Sequence, residues 1–174
     1  RKAKQSHTPA PEVRHRTHSP AQRTPPAAGA TAVPQPMPQL PQRVWSDEDW
    51  ERIRRGHSSR DMDEKWDAFA EGEVVFLHRS WTGYGVFAAT FAPADGGGWR
   101  VAHAVVERDP ERYRGTDDDY DCLMLELVIR GIVLGEPALD LRSKLVELRR
   151  RTSGSADVPA GLVQHSALGL RSDS

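Results

Sequence analysis

Apolar residues along this chain follow two regimes that change near residue 44. From Trp45 onward they recur with the spacing of folded elements; before it they are sparse and interrupted by proline. Ser46 reads as a helix N-cap, with Asp49 at the third helical position in an approximate capping box. Trp45 and Trp50 flank that cap where a hydrophobic staple packs. Asp47, Glu48 and Asp49 suit the positive end of a helix dipole, and Arg52, Arg54 and Arg55 the negative end. Gly56 stops the run, so the pattern predicts a short helix over residues 47–55.

Past that helix the chain carries short apolar runs separated by turn residues, the signature of strands. Residues 65–70 read as a first strand, with Trp66 and Phe69 as its large side chains, and Glu71-Gly72-Glu73 as a turn. Residues 74–79 open with β-branched residues and read as a second strand. A third spans 84–91, and Asp95-Gly96-Gly97-Gly98 makes a loose hairpin loop. A fourth spans 99–106, with apolar residues on both alternating faces. Beyond the polar loop 107–115, Thr116 is a candidate cap for a helix whose first turn is acidic. From Tyr120 to Leu134 that helix is apolar almost all round, which marks it as buried. Asp119, Glu126 and Arg130 leave a narrow polar stripe, with Glu126 and Arg130 spaced as an i, i+4 pair. Gly135 and Pro137 end it, and residues 139–151 form an amphipathic helix through Leu141, Leu145 and Leu148.

These elements predict an α+β fold: a four-stranded antiparallel meander backed by a buried helix, with a short N-terminal helix and a C-terminal amphipathic helix. They occupy one domain, residues 44–151, with a flexible tail at 152–174. Residues 1–43 hold nine of the 13 prolines, no aromatic residue, and seven Lys/Arg against one acid, Glu12. Such a segment buries too little apolar surface to offset the entropy of ordering it, which predicts a disordered basic arm. The whole chain carries −1, so subtraction leaves −7 on the remainder: a basic arm precedes an acidic body. The arm suits weak contact with nucleic acid at most, and more simply a linker. Cys122 stands alone in an apolar run, as small core cysteines do. No apolar stretch approaches the ~18 residues of a membrane span, and the expected location is cytoplasmic.

Candidate chemistry concentrates in His78-Arg79-Ser80-Trp81-Thr82-Gly83-Tyr84-Gly85, the turn between the second and third strands. Alternation along a strand puts His78 and Arg79 on opposite faces. Arg79 offers a planar fork for phosphate or carboxylate. Thr82 and the Gly83 and Tyr84 amides supply donors for a small anion-binding concavity, and Trp81 and Tyr84 supply faces for stacking. His78 titrates in the range of acid–base work. The alternative is structural, with Trp81 and Tyr84 in the core and Arg79 paired to the acidic loop. A second cluster, Glu107-Arg108-Asp109-Pro110 with Tyr113, leaves the fourth strand at the same end of the sheet, close to the Asp117–Asp119 helix start. The candidate ligand-binding set is therefore His78, Arg79, Trp81, Thr82, Gly83, Tyr84, Arg108 and Asp109. No histidine or cysteine spacing suggests a metal, and no fingerprint implies a cofactor.

Four stretches carry a resemblance: Met62-Asp63-Glu64-Lys65-Trp66, His78-Arg79-Ser80-Trp81-Thr82-Gly83, Arg108-Asp109-Pro110 and Thr116-Asp117-Asp118. Over roughly residues 61–135 the chain resembles a small bacterial domain family with the His-Arg-Ser-Trp-Thr-Gly motif, whose members resemble accessory modules beside ADP-ribose-processing proteins. The resemblance implies a nucleotide-like ligand and assigns no catalytic residue. The leading expectation is a small domain binding a phosphate- or ADP-ribose-type molecule at the 78–85 turn. The alternatives are an interaction or regulatory module that meets a protein partner, and a hydrolase on a nucleotide-like substrate with His78 or Asp109 as base.

Overall fold

The computed structural model describes residues 31–115, 117–153 and 167–169. A five-stranded antiparallel sheet carries helices against one face. In chain order the elements are β1 (Pro34–Pro36), α1 (Asp47–Arg55), β2 (Trp66–Glu71), β3 (Val74–Arg79), β4 (Gly85–Pro93), β5 (Trp99–Glu107), α2 (Asp118–Leu127) and α3 (Leu139–Ser153). The spatial order is β1-β5-β4-β3-β2, so β2 to β5 form the expected meander and β1 adds a fifth strand on the β5 edge. The expectation of four strands is corrected by that element. It lies in the segment read as a disordered arm; residues 1–30 of that arm fall outside the described residues.

Two prolines in three residues leave β1 almost no ladder donors, which is tolerated only at a sheet edge. The flanking residues compensate: Arg108 N–H donates to the Val33 carbonyl and Met37 N–H to the Ala104 carbonyl, both at 2.9 Å. The buried Glu107 carboxylate accepts from the amides of Ala32 (2.6 Å), Val33 (2.9 Å) and Asp109 (3.0 Å). Met37 then enters the core, and Arg43 forms a bidentate pair with Glu136 at 2.9 and 3.1 Å.

Helix α1 spans the expected residues. Ser46 Oγ accepts from Asp49 N–H at 3.0 Å, and Trp45 and Trp50 both pack on Phe91. Gly56 has φ 75°, and a Cβ there would lie 2.3 Å from the Ala68 carbonyl oxygen, so the helix ends where only glycine fits.

One sheet face, including Trp66, Leu77, Phe87, Ala89 and Val106, joins Leu125, Leu127 and Ile129 in a single core. The opposite face carries Phe69 stacked on Phe76 at 5.1 Å, with His78 edge-on to Phe69. Two bulges shape the sheet. Leu77 pairs with Phe87 but His78 with Gly85, so Val86 is the extra residue. Thr90 pairs with His103 but Phe91 with Val101, so Ala102 is the extra residue and the inward phase of β5 changes there.

Asp117, rather than Thr116, caps α2, accepting from the Asp119 and Tyr120 amides. Thr116 lies outside the described residues. α2 continues as a π-helical stretch, Val128–Val133, and Leu134 N–H reaches back to the Ile129 carbonyl. Arg130 pairs with Glu136 at 3.0 Å and Asp140 at 3.5 Å, so its ion-pair partners lie past the helix end rather than at Glu126. Of the predicted C-terminal tail, Ala167–Gly169 pack into the body, with Leu168 fully buried; residues 154–166 and 170–174 lie outside the described residues. No described helix is long and apolar enough to cross a membrane.

Candidate ligand-binding site

Trp66 begins β2 and Arg79 ends β3, and the two are direct cross-strand partners on the core-facing side. The end of the sheet therefore presents a guanidinium instead of another apolar side chain. It lies over the Trp66 ring, 4.8 Å from the centroid, and donates to the Ala167 carbonyl at 3.1 Å. Trp66 Nε1 donates to the same carbonyl at 3.0 Å. Burial pulls the Arg79 pKa below its ordinary value, while the nearby Tyr120 and Tyr113 oppose that. An arginine remains charged under such a shift. Among the described residues no carboxylate lies within ion-pair reach of Arg79; the pairing with the acidic loop that the sequence allowed does not form.

Arg79 opens into a cleft of about 270 Å³ between the sheet end, residues 112–115 with Asp117, and the facing sides of α2 and α3. Among the described residues, four arginines line it (Arg79, Arg112, Arg114 and Arg149) with one carboxylate, Asp117. Asp117 accepts from two helix amides, so part of its acceptor capacity is already used. Tyr113, Tyr120, Trp66 and Met124 add aromatic and apolar surface to the lining. Arg149 stacks on Tyr120 at 4.8 Å and donates to its hydroxyl at 2.8 Å. Burial pushes the Tyr120 hydroxyl pKa up against the opposing pull of Arg149 and Arg79. Burial, reinforced by Asp121, pushes that of Tyr113 up well beyond its ordinary value. Both phenols are thus neutral near pH 7, and the positive field of the arginines is not cancelled by the phenols.

The 80–84 turn forms the neighbouring rim. Gly83 N–H donates to the Arg79 carbonyl at 2.8 Å and Arg79 N–H to the Tyr84 carbonyl at 3.0 Å. Gly83 has φ 71°, and a Cβ there would meet nothing within 4 Å, so conformation rather than space calls for glycine. Ser80 Oγ donates to the Glu64 carbonyl and Trp81 Nε1 to that of Met62, tying the turn to the segment before β2. Trp81 is nevertheless 65 % exposed and Tyr84 38 %. Neither is a core aromatic. A second depression of about 180 Å³, lined by Lys65, Arg79, Trp81, Thr82, Tyr84, Glu111 and Arg112, adjoins the cleft through Arg79 and Arg112.

Of the expected site residues, Arg79, Trp81, Thr82 and Tyr84 line these depressions, and Gly83 shapes their rim. His78 is on the opposite sheet face, buried beside Phe69, with Nε2 lacking a hydrogen-bond partner. Burial lowers its pKa, and Asp67 works the other way. Arg108 turns inward: it donates to Asp121 at 2.5 Å and to the Gly115 carbonyl at 3.0 Å, with Asp118 3.5 Å away. Tyr113 Oη completes that cluster on Asp121 at 2.9 Å. Asp109 shapes the loop, accepting from Glu111 N–H at 3.0 Å with Arg112 3.8 Å away. Sequence reasoning missed Arg112, Arg114, Tyr120 and Arg149 as cleft residues. Arg112 and Arg114 flank Tyr113 in a cationic-aromatic run that was legible; Tyr120 sits on an apolar helix and Arg149 on an amphipathic one, and neither carries a local motif. Among the described residues no group of His, Cys, Asp and Glu is placed to hold a metal ion. No protein-family model matches this sequence, and no curated protein or solved structure shows detectable similarity to it.

Proposed function

We propose that this domain binds a small phosphate-bearing molecule, of the class that includes ADP-ribose, in the arginine-lined cleft. The observation that carries the reading is Arg79: a half-buried guanidinium, backed by an indole, that meets a backbone carbonyl and no carboxylate among the described residues. Desolvation leaves that cation with less solvation than water would give it, and a phosphate oxygen replaces what burial removed. Arg112, Arg114 and Arg149 lie around the same space, so a diphosphate finds several forks within one cleft. Binding is favoured over hydrolysis by the placement of the two proposed bases. His78 faces away from the cleft, and Asp109 is committed to its loop and to Arg112.

The test is a calorimetric titration with ADP-ribose of the wild type and of Arg79→Lys. A lysine keeps the charge but not the fork, so the substitution should weaken binding about 10-fold or more, the loss of one charge-assisted hydrogen bond. Equal affinities, or no heat from the wild type at millimolar ligand, would set the reading aside.

A further inference from the structure

We infer that the depression beside the cleft is a ring-stacking subsite, which makes the ligand a nucleotide rather than a sugar phosphate or an inorganic anion. The inference rests on the anion site proposed above and adds where the ligand's second half goes. Two large aromatic side chains stand exposed within one small depression: Trp81 at 65 % and Tyr84 at 38 %. Side chains of this size are normally buried, and both are fixed in place rather than loose. The Trp81 indole N–H is held by the Met62 carbonyl at 3.0 Å. The Tyr84 ring is braced by the Arg112 guanidinium, 4.7 Å from its centroid. A fixed, exposed ring beside cations is what stacking on a nucleobase requires.

Charge sets the orientation. Among the described residues the cleft is lined by four arginines against Asp117, and the depression by Lys65, Arg79 and Arg112 against Glu111, so a phosphate meets more positive charge in the cleft. Arg79 and Arg112 line both spaces, so they fall where phosphate and ring portions of one ligand join. Phosphate enters the cleft, the ring lies on the Trp81 and Tyr84 side, and Thr82 Oγ1 can donate to the portion between. That hydroxyl oxygen already accepts from Tyr84 N–H at 3.2 Å and keeps its own proton to give.

The matched probes are AMP and ribose 5-phosphate, which differ by the base alone. Titrated against the full chain, AMP should bind about 5- to 100-fold more tightly, the contribution of stacking one base. Trp81→Ala should bring AMP down to the level of ribose 5-phosphate, and Trp81→Phe, which restores a ring, should recover most of the difference. AMP should also quench tryptophan emission in the wild type where ribose 5-phosphate does not. If the two probes bind equally while both still depend on Arg79, the subsite is wrong and the anion site stands. If neither binds, both fall. An AMP preference that survives Trp81→Ala undiminished would move the ring elsewhere and overturn the assignment.

Discussion

Glu107 shows how one side chain ties a segment without sequence signal into the fold. Burial pushes its carboxyl pKa up, but the amides of Asp109, Val33 and Ala32 outweigh that, and the net position is below the ordinary glutamate value. A depressed carboxyl pKa contributes stability that is present above the unfolded value of about 4.3 and lost as pH falls through the folded one. Glu107→Gln should therefore cost about 1–3 kcal/mol at pH 7, because a charged acceptor of three amides becomes a neutral one that also carries donors. Denaturant melts of both proteins against pH should converge as acidity increases below about pH 4. A constant difference across that range would mean the carboxylate charge is not what holds the amides. At this scale the sequence was partly readable. Strand alternation separated His78 from Arg79, which the structure reproduces. It could not separate Arg79 from Arg108, since one ends a strand and the other follows one at the same sheet end. Arg108 meets the buried Asp121, and that pairing joins a loop to a helix 13 residues on.

At the level of elements, α1 was legible to its ends because cap, staple, dipole charges and stop residue all agree. The buried helix was legible as buried, and Leu127 is fully enclosed. Leu127→Ala should cost about 2–5 kcal/mol from lost transfer energy and the cavity left behind. Chemical denaturation checks it, and a cost under about 1 kcal/mol would contradict its enclosure. The facing of β5 was not legible, for a definite reason. The bulge at Ala102 changes the phase of the alternation, so Val101 before it and Ala104 and Val106 after it all point inward. A strict period of two smears such a strand over both faces. β1 was missed because a strand of three residues with two prolines resembles a linker. Its ladder bonds to β5 are carried by the flanking Val33 and Met37, and its anchor, Glu107, is more than 70 residues away.

For the whole molecule, the basic arm and acidic body remain a sound division of charge but not of structure, since residues 31–43 supply a strand, Met37 and Arg43 to the body. A chain starting at residue 44 should melt lower by about 2–8 °C or more, the shift that 1 kcal/mol produces across domains on either side of this size. An unchanged melting temperature would show that β1 adds nothing to stability. The same long-range assembly explains why the cleft was only half readable: β3, residues 112–115, α2, α3 and Ala167 each contribute to it. The melting temperatures of wild type and Arg79→Met, each with and without millimolar pyrophosphate, test the central claim most directly. If Arg79 is an anion-binding group, Arg79→Met should fold and melt near the wild type or above it, because a desolvated cation has been removed. Pyrophosphate should raise the wild-type melting temperature and leave the variant unmoved. A variant that unfolds outright would make Arg79 part of the scaffold, and a wild type indifferent to pyrophosphate would contradict the account.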